Sequence, residues 1–409
     1  MSHNKKHTIS RRAVLGGAAG LWLARPGAAQ AAGPDRDLIA LRRDLHRNPE
    51  VAGQEQRTAA TVAKELRAAG LEVTTGVGGH GVVGVLTGAR PGRTVAYRAD
   101  MDAVAPQDQV NGDGRVAHVC GHDIHTTVGV GVAQVLARLR ERLAGTVVFV
   151  FQPAEETLTG AAAMLAHGAF AGTRPTEIHA LHCYAFPVGQ FMVTPGTGLP
   201  GQDRGVVTVT GPDAAARAQR LATEIGALGT VSRPGTPEEL SQLVDDIQRP
   251  SGPLARFVFL TARASGAEVR VAFRCWPEAR YAEIREDIRR LAGTVAGASV
   301  SFPDHPFPAV VTPVRQARAL QRYLHSTVGL DRTRVAHAAV PFSGDDFALF
   351  LDRMPGTYTF LGVRGPDTKI EDSYPHFGDF CPDERAIGHG VRAMAGWLAT
   401  RAHGMDGAR

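Results

Sequence analysis

Eight residues, 118–125, bring together three histidines (His118, His122, His125), one cysteine (Cys120) and one aspartate (Asp123). A second signal, Gln152-Pro153-Ala154-Glu155-Glu156, ends a strongly apolar run. Imidazole nitrogen and thiolate sulfur beside adjacent carboxylates suit zinc or a similar transition metal, with one carboxylate left over to move protons. The chemistry this supports is metal-dependent hydrolysis. Glu155 and Glu156 read as neighbours on an extended segment, so their side chains should point apart, one to the metals and one to a water. Cys120, beside Gly121 and two residues from His122, reads as a ligand rather than a buried structural thiol. His118 and His125 read as residues that orient ligands or cap the following helix. Asp100 and Asp102 read as supports, with Asp102 the better placed to orient a histidine.

These side chains need a scaffold. From Asp37 the pattern is two helices, then alternating strands and helices. Ala59, Val62, Ala63 and Leu66 recur at helical spacing, and Gly70 follows as a cap. Apolar strands are expected over 94–97, 146–151 and 178–181, with a helix over 128–143. This alternation predicts an α/β fold with a mixed sheet flanked by helices. Asp100 and Asp102, Glu155 and Glu156, and His182 each follow one of these strands, the usual place for ligand sites in open α/β sheets. Between 205 and 303 the rhythm becomes strand 206–210, helix 213–228, strands 257–262 and 268–275, helix 278–291 and strand 298–302. That βαββαβ order predicts an inserted ferredoxin-like domain. Within it, 232–253 reads as a surface loop with one short helix. The expected organisation is therefore a leader (1–31), a first catalytic part (32–204), the insert (205–303) and a second catalytic part (304–409).

The chain has 409 residues, 44% apolar and 21% charged, with a formal net charge of +5. That supports about two cores. It carries no basic strip of the kind that binds nucleic acid. Ser10-Arg11-Arg12 before an apolar run, with Ala29-Gln30-Ala31 after it, reads as a twin-arginine export signal. The expected location is thus secreted or periplasmic, with no membrane attachment once the leader is removed. Four cysteines (Cys120, Cys183, Cys275, Cys381) are few for an exported chain, and disulfides do not account for all of them.

Several separated motifs resemble the aminoacylase-type metallopeptidase family, and within it the amidohydrolase branch that includes hippurate, N-acyl-amino-acid and indole-acetyl-amino-acid hydrolases. They are the run from Leu41 to Glu50, Arg98-Ala99-Asp100-Met101-Asp102-Ala103, the 118–125 cluster and Phe151-Gln152-Pro153-Ala154-Glu155-Glu156. Leu181-His182, Asp345-Asp346-Phe347, and His376 with Phe380 and Glu384 complete them. The resemblance implies a catalytic α/β domain holding two divalent metal ions (zinc, manganese, cobalt or nickel). It also implies an inserted lid used for substrate closure and dimer contacts. The ligand positions it implies are Cys120, His122, Glu156, His182 and His376, with Glu155 as general base. Asp345 stands where relatives usually have glutamate, which predicts an altered contact near substrate or ligands. Asp346 is expected to support the following helix.

The insert departs from that pattern. Relatives place a glycine-rich segment with a histidine after the first lid strand, where it stabilises the tetrahedral oxyanion. Here Gly211 runs directly into Pro212-Asp213, and no histidine lies between His182 and His305. Losing one such donor costs about 2.7–4 kcal/mol of transition-state stabilisation. Arg274 is a candidate replacement cation. The gap also argues against a lid-mediated homodimer. The expected activity is hydrolysis of an N-acyl amino acid or small peptide-like amide. The alternatives are a specialised-metabolite hydrolase acting on an unusual amide or ester, and a metal-retaining binding protein with little catalysis.

Overall fold

The computed structural model describes residues 34–404; the export signal read from the sequence lies outside them. Two helices come first, α1 (Pro34–Arg47) and α2 (Gln56–Ala68). Strands β1 (Glu72–Val77), β2 (Gly81–Thr87) and β3 (Arg90–Asp100) lead to α3 (His122–Arg138). Next come β4 (Ala144–Gln152), α4 (Gly160–Ala166), β5 (Ile178–Pro187), β6 (Phe191–Val193), β7 (Gly198–Leu199) and β8 (Asp203–Val209). Helices α5 (Ala214–Gly226) and α6 (Pro237–Ile247) precede β9 (Phe257–Ser265), β10 (Glu268–Trp276), α7 (Arg280–Gly293) and β11 (Ala298–Ser301). The chain closes with β12 (Val310–Val311), α8 (Val314–Thr327), β13 (Thr333–Val335), α9 (Ala348–Leu351), β14 (Gly356–Arg364) and α10 (Arg385–His403).

Eight strands form one mixed sheet in the order β1-β2-β4-β3-β5-β14-β6-β13. Its centre, β4-β3-β5-β14, is parallel. Central strands are covered on both faces and therefore read as continuous apolar runs; Val147, Val148, Phe149, Val150 and Phe151 of β4 are all buried. One face packs against α1, α2, α3, α8 and α10 through residues such as Leu66, Ile124, Leu136 and Trp397. The other carries α4, α6 and α9 over Val148, Ala180, Tyr184 and Phe360. A separate antiparallel sheet, β11-β8-β10-β9, packs α5 and α7 through Leu221, Ile225, Ile284 and Ile288 and has its own core. No helix among the described residues is long and apolar enough to cross a membrane.

Three local expectations change. The 232–253 stretch is not simply a surface loop. α6 buries Leu240, Leu243, Val244 and Ile247, and they join the core under the large sheet rather than that of the small one. Helix α3 begins at His122 and ends at Arg138, so the 118–125 cluster straddles a helix N-terminus. His182 does not follow its strand: β5 continues to Pro187, while its pairing with β3 stops at Arg98–Ala180. His182 therefore projects from the stretch where β5 has outrun one neighbour.

Candidate metal centre

The strand ends and the α3 N-terminus bring the five implied ligands together. Cys120, His122 and His182 place donor atoms within 4.8 Å of one another, as do Cys120, Glu156 and His376, and so do His122, Glu155 and Glu156. Cys120 Sγ lies 3.6 Å from His182 Nε2. Glu156 spans two histidines, with Oε1 3.7 Å from His122 Nε2 and Oε2 3.3 Å from His376 Nε2. Gly121 makes the turn into α3 at φ 90°, and a Cβ there would lie 2.9 Å from Cys183 Cβ. Glycine is required on both counts.

Backbone carbonyls fix the histidine tautomers. His122 Nδ1 is 2.8 Å from Asp102 O, His182 Nδ1 is 2.8 Å from Cys183 O, and His376 Nδ1 is 3.1 Å from Asp108 O. A carbonyl only accepts, so each Nδ1–H donates and Nε2 is the ring nitrogen left to face the centre. His376 sits at φ 71°, an unusual backbone for a non-glycine residue. Its N–H donates to Val119 O at 2.7 Å, and its carbonyl accepts from Val110 N at 2.7 Å. His125 is committed elsewhere. Its Nε2 accepts from Cys183 N at 2.8 Å, so Nδ1 donates to Asp100 at 3.2 Å. It orients the backbone beside His182. His118 is buried, and neither ring nitrogen has a hydrogen-bond partner among the described residues.

Glu155 and Glu156 lie in a turn after β4, not on an extended segment, and Ala154 and Leu158 there have φ of 54° and 57°. Their side chains consequently converge: Glu155 Oε2 and Glu156 Oε1 are 3.8 and 3.7 Å from His122 Nε2. Asp102 explains this. Its buried carboxylate accepts from Glu155 N at 3.1 Å through Oδ1 and from Glu156 N at 2.9 Å through Oδ2. Glu55, fully buried, accepts from Ala154 N at 2.9 Å and Gly53 N at 3.0 Å. Sequence reading passed over Glu55, whose position before α2 carried no chemical signal.

A second buried cluster lies behind. Arg98 donates to Asp345 at 3.1 and 2.8 Å, to Asp346 at 3.2 Å and to Gln152 at 2.8 Å, and pairs with Asp100 at 2.5 Å. A buried guanidinium is tolerated only when so surrounded. Asp345 is thus an arginine partner, within 4.8 Å of a Glu155 carboxylate oxygen. Asp346 does not support the helix that follows it; its carboxylate accepts from Gln152 at 2.6 Å and from Ala161 N in α4 at 2.8 Å.

The electrostatics report whether cations fit. Burial, then Asp345, Glu156 and Asp100, push Glu155 well above the usual carboxylate range. Burial raises Glu156 against His376 and His122. Burial would lower His122, but Asp100, Asp102 and Glu156 outweigh it and push the imidazole up to about 10. The Cys120 thiol is raised by burial, Glu156 and Glu155. These carboxylates and the thiol crowd into one buried site. Meanwhile His122 Nε2 and Glu156 Oε1 are buried with no hydrogen-bond partner among the described residues. Divalent cations would satisfy both conditions, and the N, S and O donor set suits them.

A cavity of about 440 Å³ opens over these residues. Cys120, Glu155, Glu156, His182 and His376 line it together with Arg204, Arg233 and Arg274. Arg274 reaches in from β10, its guanidinium lying where a Cβ on Gly344 would sit 2.0 Å from Nη1. Its only hydrogen bonds among the described residues are long ones to Pro200 O and Gly201 O, 3.5 and 3.3 Å.

A mixed sheet with clustered N, S and O donors at its strand ends, beneath an open cavity, defines a metal-dependent hydrolase. The chain belongs to peptidase family M20/M25/M40, whose model matches residues 96–400. It is an amidohydrolase/peptidase of that family. It is 31% identical to a probable hydrolase of Synechocystis sp., over 88% of this chain and 94% of that protein. It is 28% identical to an N-acetyldiaminopimelate deacetylase of Oenococcus oeni, over 90% and 98%. A Bacillus subtilis structure described as a dinuclear metal binding peptidase superposes with a TM-score of 0.69 at 26% identity, covering 91% of this chain and 100% of that one.

Proposed function

We propose that this chain hydrolyses an N-acyl amino acid or a small peptide-like amide. Cys120, His122, Glu156, His182 and His376 would hold two divalent ions, and Glu155 would act as general base. The observation that carries this reading is the overlap of three donor groups, Cys120–His122–His182, Cys120–Glu156–His376 and His122–Glu155–Glu156, each with its donor atoms within 4.8 Å of one another. Two divalent ions, when bound, polarise a carbonyl and acidify water.

The residues of the chain do the rest. Glu155 takes the proton from an attacking water as the O–C bond forms, then returns it to the leaving nitrogen as the C–N bond breaks, giving an acid and an amine. Asp102 holds Glu155 by its backbone N–H. Arg274, half-buried on the cavity wall and within electrostatic reach of Glu155, replaces the missing lid histidine as donor to the carbonyl oxygen. We further propose twin-arginine export of the folded chain. Four free cysteines, three of them buried, agree with metal loading before the thiols meet an oxidant.

Kinetics with metal-loaded protein across a panel of N-acyl amino acids and dipeptides test this reading. Glu155→Gln should lower kcat by at least about a hundredfold, with metal content unchanged. Hydrolysis that survives in this variant would remove Glu155 from the mechanism.

A further inference from the structure

The turn that carries Glu155 is gripped from a segment that supplies none of the proposed ligands. Three consecutive N–H groups, those of Ala154, Glu155 and Glu156, end on two buried carboxylates. The first donates to Glu55 Oε1 at 2.9 Å, the other two to Asp102 at 3.1 and 2.9 Å. The Ala154 carbonyl accepts from Thr159 N and Gly160 N, each at 3.2 Å. Ala154 is thereby fixed on both sides at φ 54°, a backbone that alanine rarely adopts unaided. Its conformation sets the direction in which the next residue, Glu155, leaves the chain.

Glu55 is itself firmly mounted. It stands immediately before α2, its Oε1 also accepts from Gly53 N at 3.0 Å, and its carbonyl accepts from Ala59 N at 2.9 Å. The Glu50 carboxylate accepts from Arg57 N and Thr58 N at 3.0 and 2.8 Å, satisfying donors of the first turn of α2. The Glu50 carbonyl accepts from Ala103 N at 2.7 Å, one residue past Asp102. One short frame, 50–58, therefore carries Glu55 and steadies the Asp102 segment. Glu55 does not line the cavity, so its influence passes through the backbone. Burial pushes its carboxyl above the ordinary range. A neutral carbonyl oxygen still accepts an N–H, so Glu55 serves by shape rather than by charge.

Resting on the reading of Glu155 as general base, we infer that Glu55 is a positioning residue for hydrolysis: by holding the Ala154 N–H it aims the Glu155 carboxylate at the attacking water. Glu156, whose own N–H is held by Asp102, keeps its place. Loss of Glu55 thus reaches the base and spares the ligand.

The test is a double-mutant cycle of Glu55→Ala with Glu155→Gln, using N-benzoylglycine and the full chain at saturating metal. Glu55→Ala should lower kcat about 10- to 100-fold, with KM and metal stoichiometry unchanged. Glu55→Gln, which keeps the oxygen and the length, should recover most of kcat, and Glu55→Asp, one carbon shorter, should not. In the Glu155→Gln background, Glu55→Ala should cost nothing further, because no base is left to aim. Amide hydrogen exchange of 153–158 should quicken in Glu55→Ala, a readout that needs no turnover. Should the alanine variant not fold, the contrast between Gln and Asp reads the same effect. Wild-type kcat in Glu55→Ala, a loss that adds in full to that of Glu155→Gln, a Gln variant as poor as Ala, or unchanged exchange in the turn would overturn the inference. Undiminished hydrolysis in Glu155→Gln would sink the general-base reading, and this inference with it, whatever the exchange shows.

Discussion

Replacing Asp102 with alanine should damage the centre without removing a single proposed ligand. Asp102 is fully buried, and its two carboxylate oxygens accept the backbone N–H groups of Glu155 and Glu156 at 3.1 and 2.9 Å. Alanine leaves two donors without these acceptors, at about 1–3 kcal/mol each. The expected loss of stability is about 2–6 kcal/mol. His122 keeps its contact to the Asp102 carbonyl, which alanine retains, but loses the carboxylate oxygen 3.4 Å from its Nδ1. Metal affinity should fall by about 10- to 100-fold, since the Glu155–Glu156 turn is no longer fixed. Asp102→Asn keeps one acceptor oxygen and should lie between wild type and alanine. Denaturant unfolding of the metal-free chain gives the first quantity, and metal titration of the folded chain gives the second. An alanine variant with wild-type stability and wild-type metal affinity would refute the claim that Asp102 organises this turn.

Two further outcomes follow from the packing. Leu243→Ala should destabilise by about 2–5 kcal/mol, because α6 is part of the large core; a change below about 0.5 kcal/mol in denaturant unfolding would return 232–253 to the surface. Glu177 gives a pH signature. Burial alone would raise it, but His179, 3.5 Å away, and the hydrogen-bonding Arg401 hold it down to about 2, from an ordinary 4.5. A folded-state pKa below the unfolded one stabilises fully above about 4.5, and the contribution disappears as pH falls toward 2. The stability gap between wild type and Glu177→Gln should therefore narrow across that window, and a gap independent of pH would contradict the assignment.

Much of the fold is legible in the sequence because period and burial coincide: β3, β4 and β5 are apolar runs, and Ala59, Val62, Ala63 and Leu66 of α2 are buried at helical spacing. The cluster 118–125 is legible because its donors are adjacent. Other features are not local. Glu155 and Glu156 converge because Asp102, some fifty residues earlier, holds their backbone, and nothing in Pro153-Ala154 announces a left-handed turn. α6 reads as loop because its apolar residues sit between prolines and glycines, while their burial depends on a distant sheet. Asp346 holds α4 rather than the helix beside it, a choice fixed by the sheet order. Arg204 on β8, Arg274 on β10 and Arg233 in the loop before α6 are far apart in sequence, and only the fold brings them to one cavity.

The central claim is that five named side chains form one two-ion site, and a metal titration of the purified chain reads it directly. The account predicts two divalent ions bound per chain. His376→Ala and His182→Ala should each weaken one binding event and leave the other measurable, because the two residues belong to different donor groups joined through Cys120. A single ion in the wild type, or two undiminished ions in both variants, would contradict it.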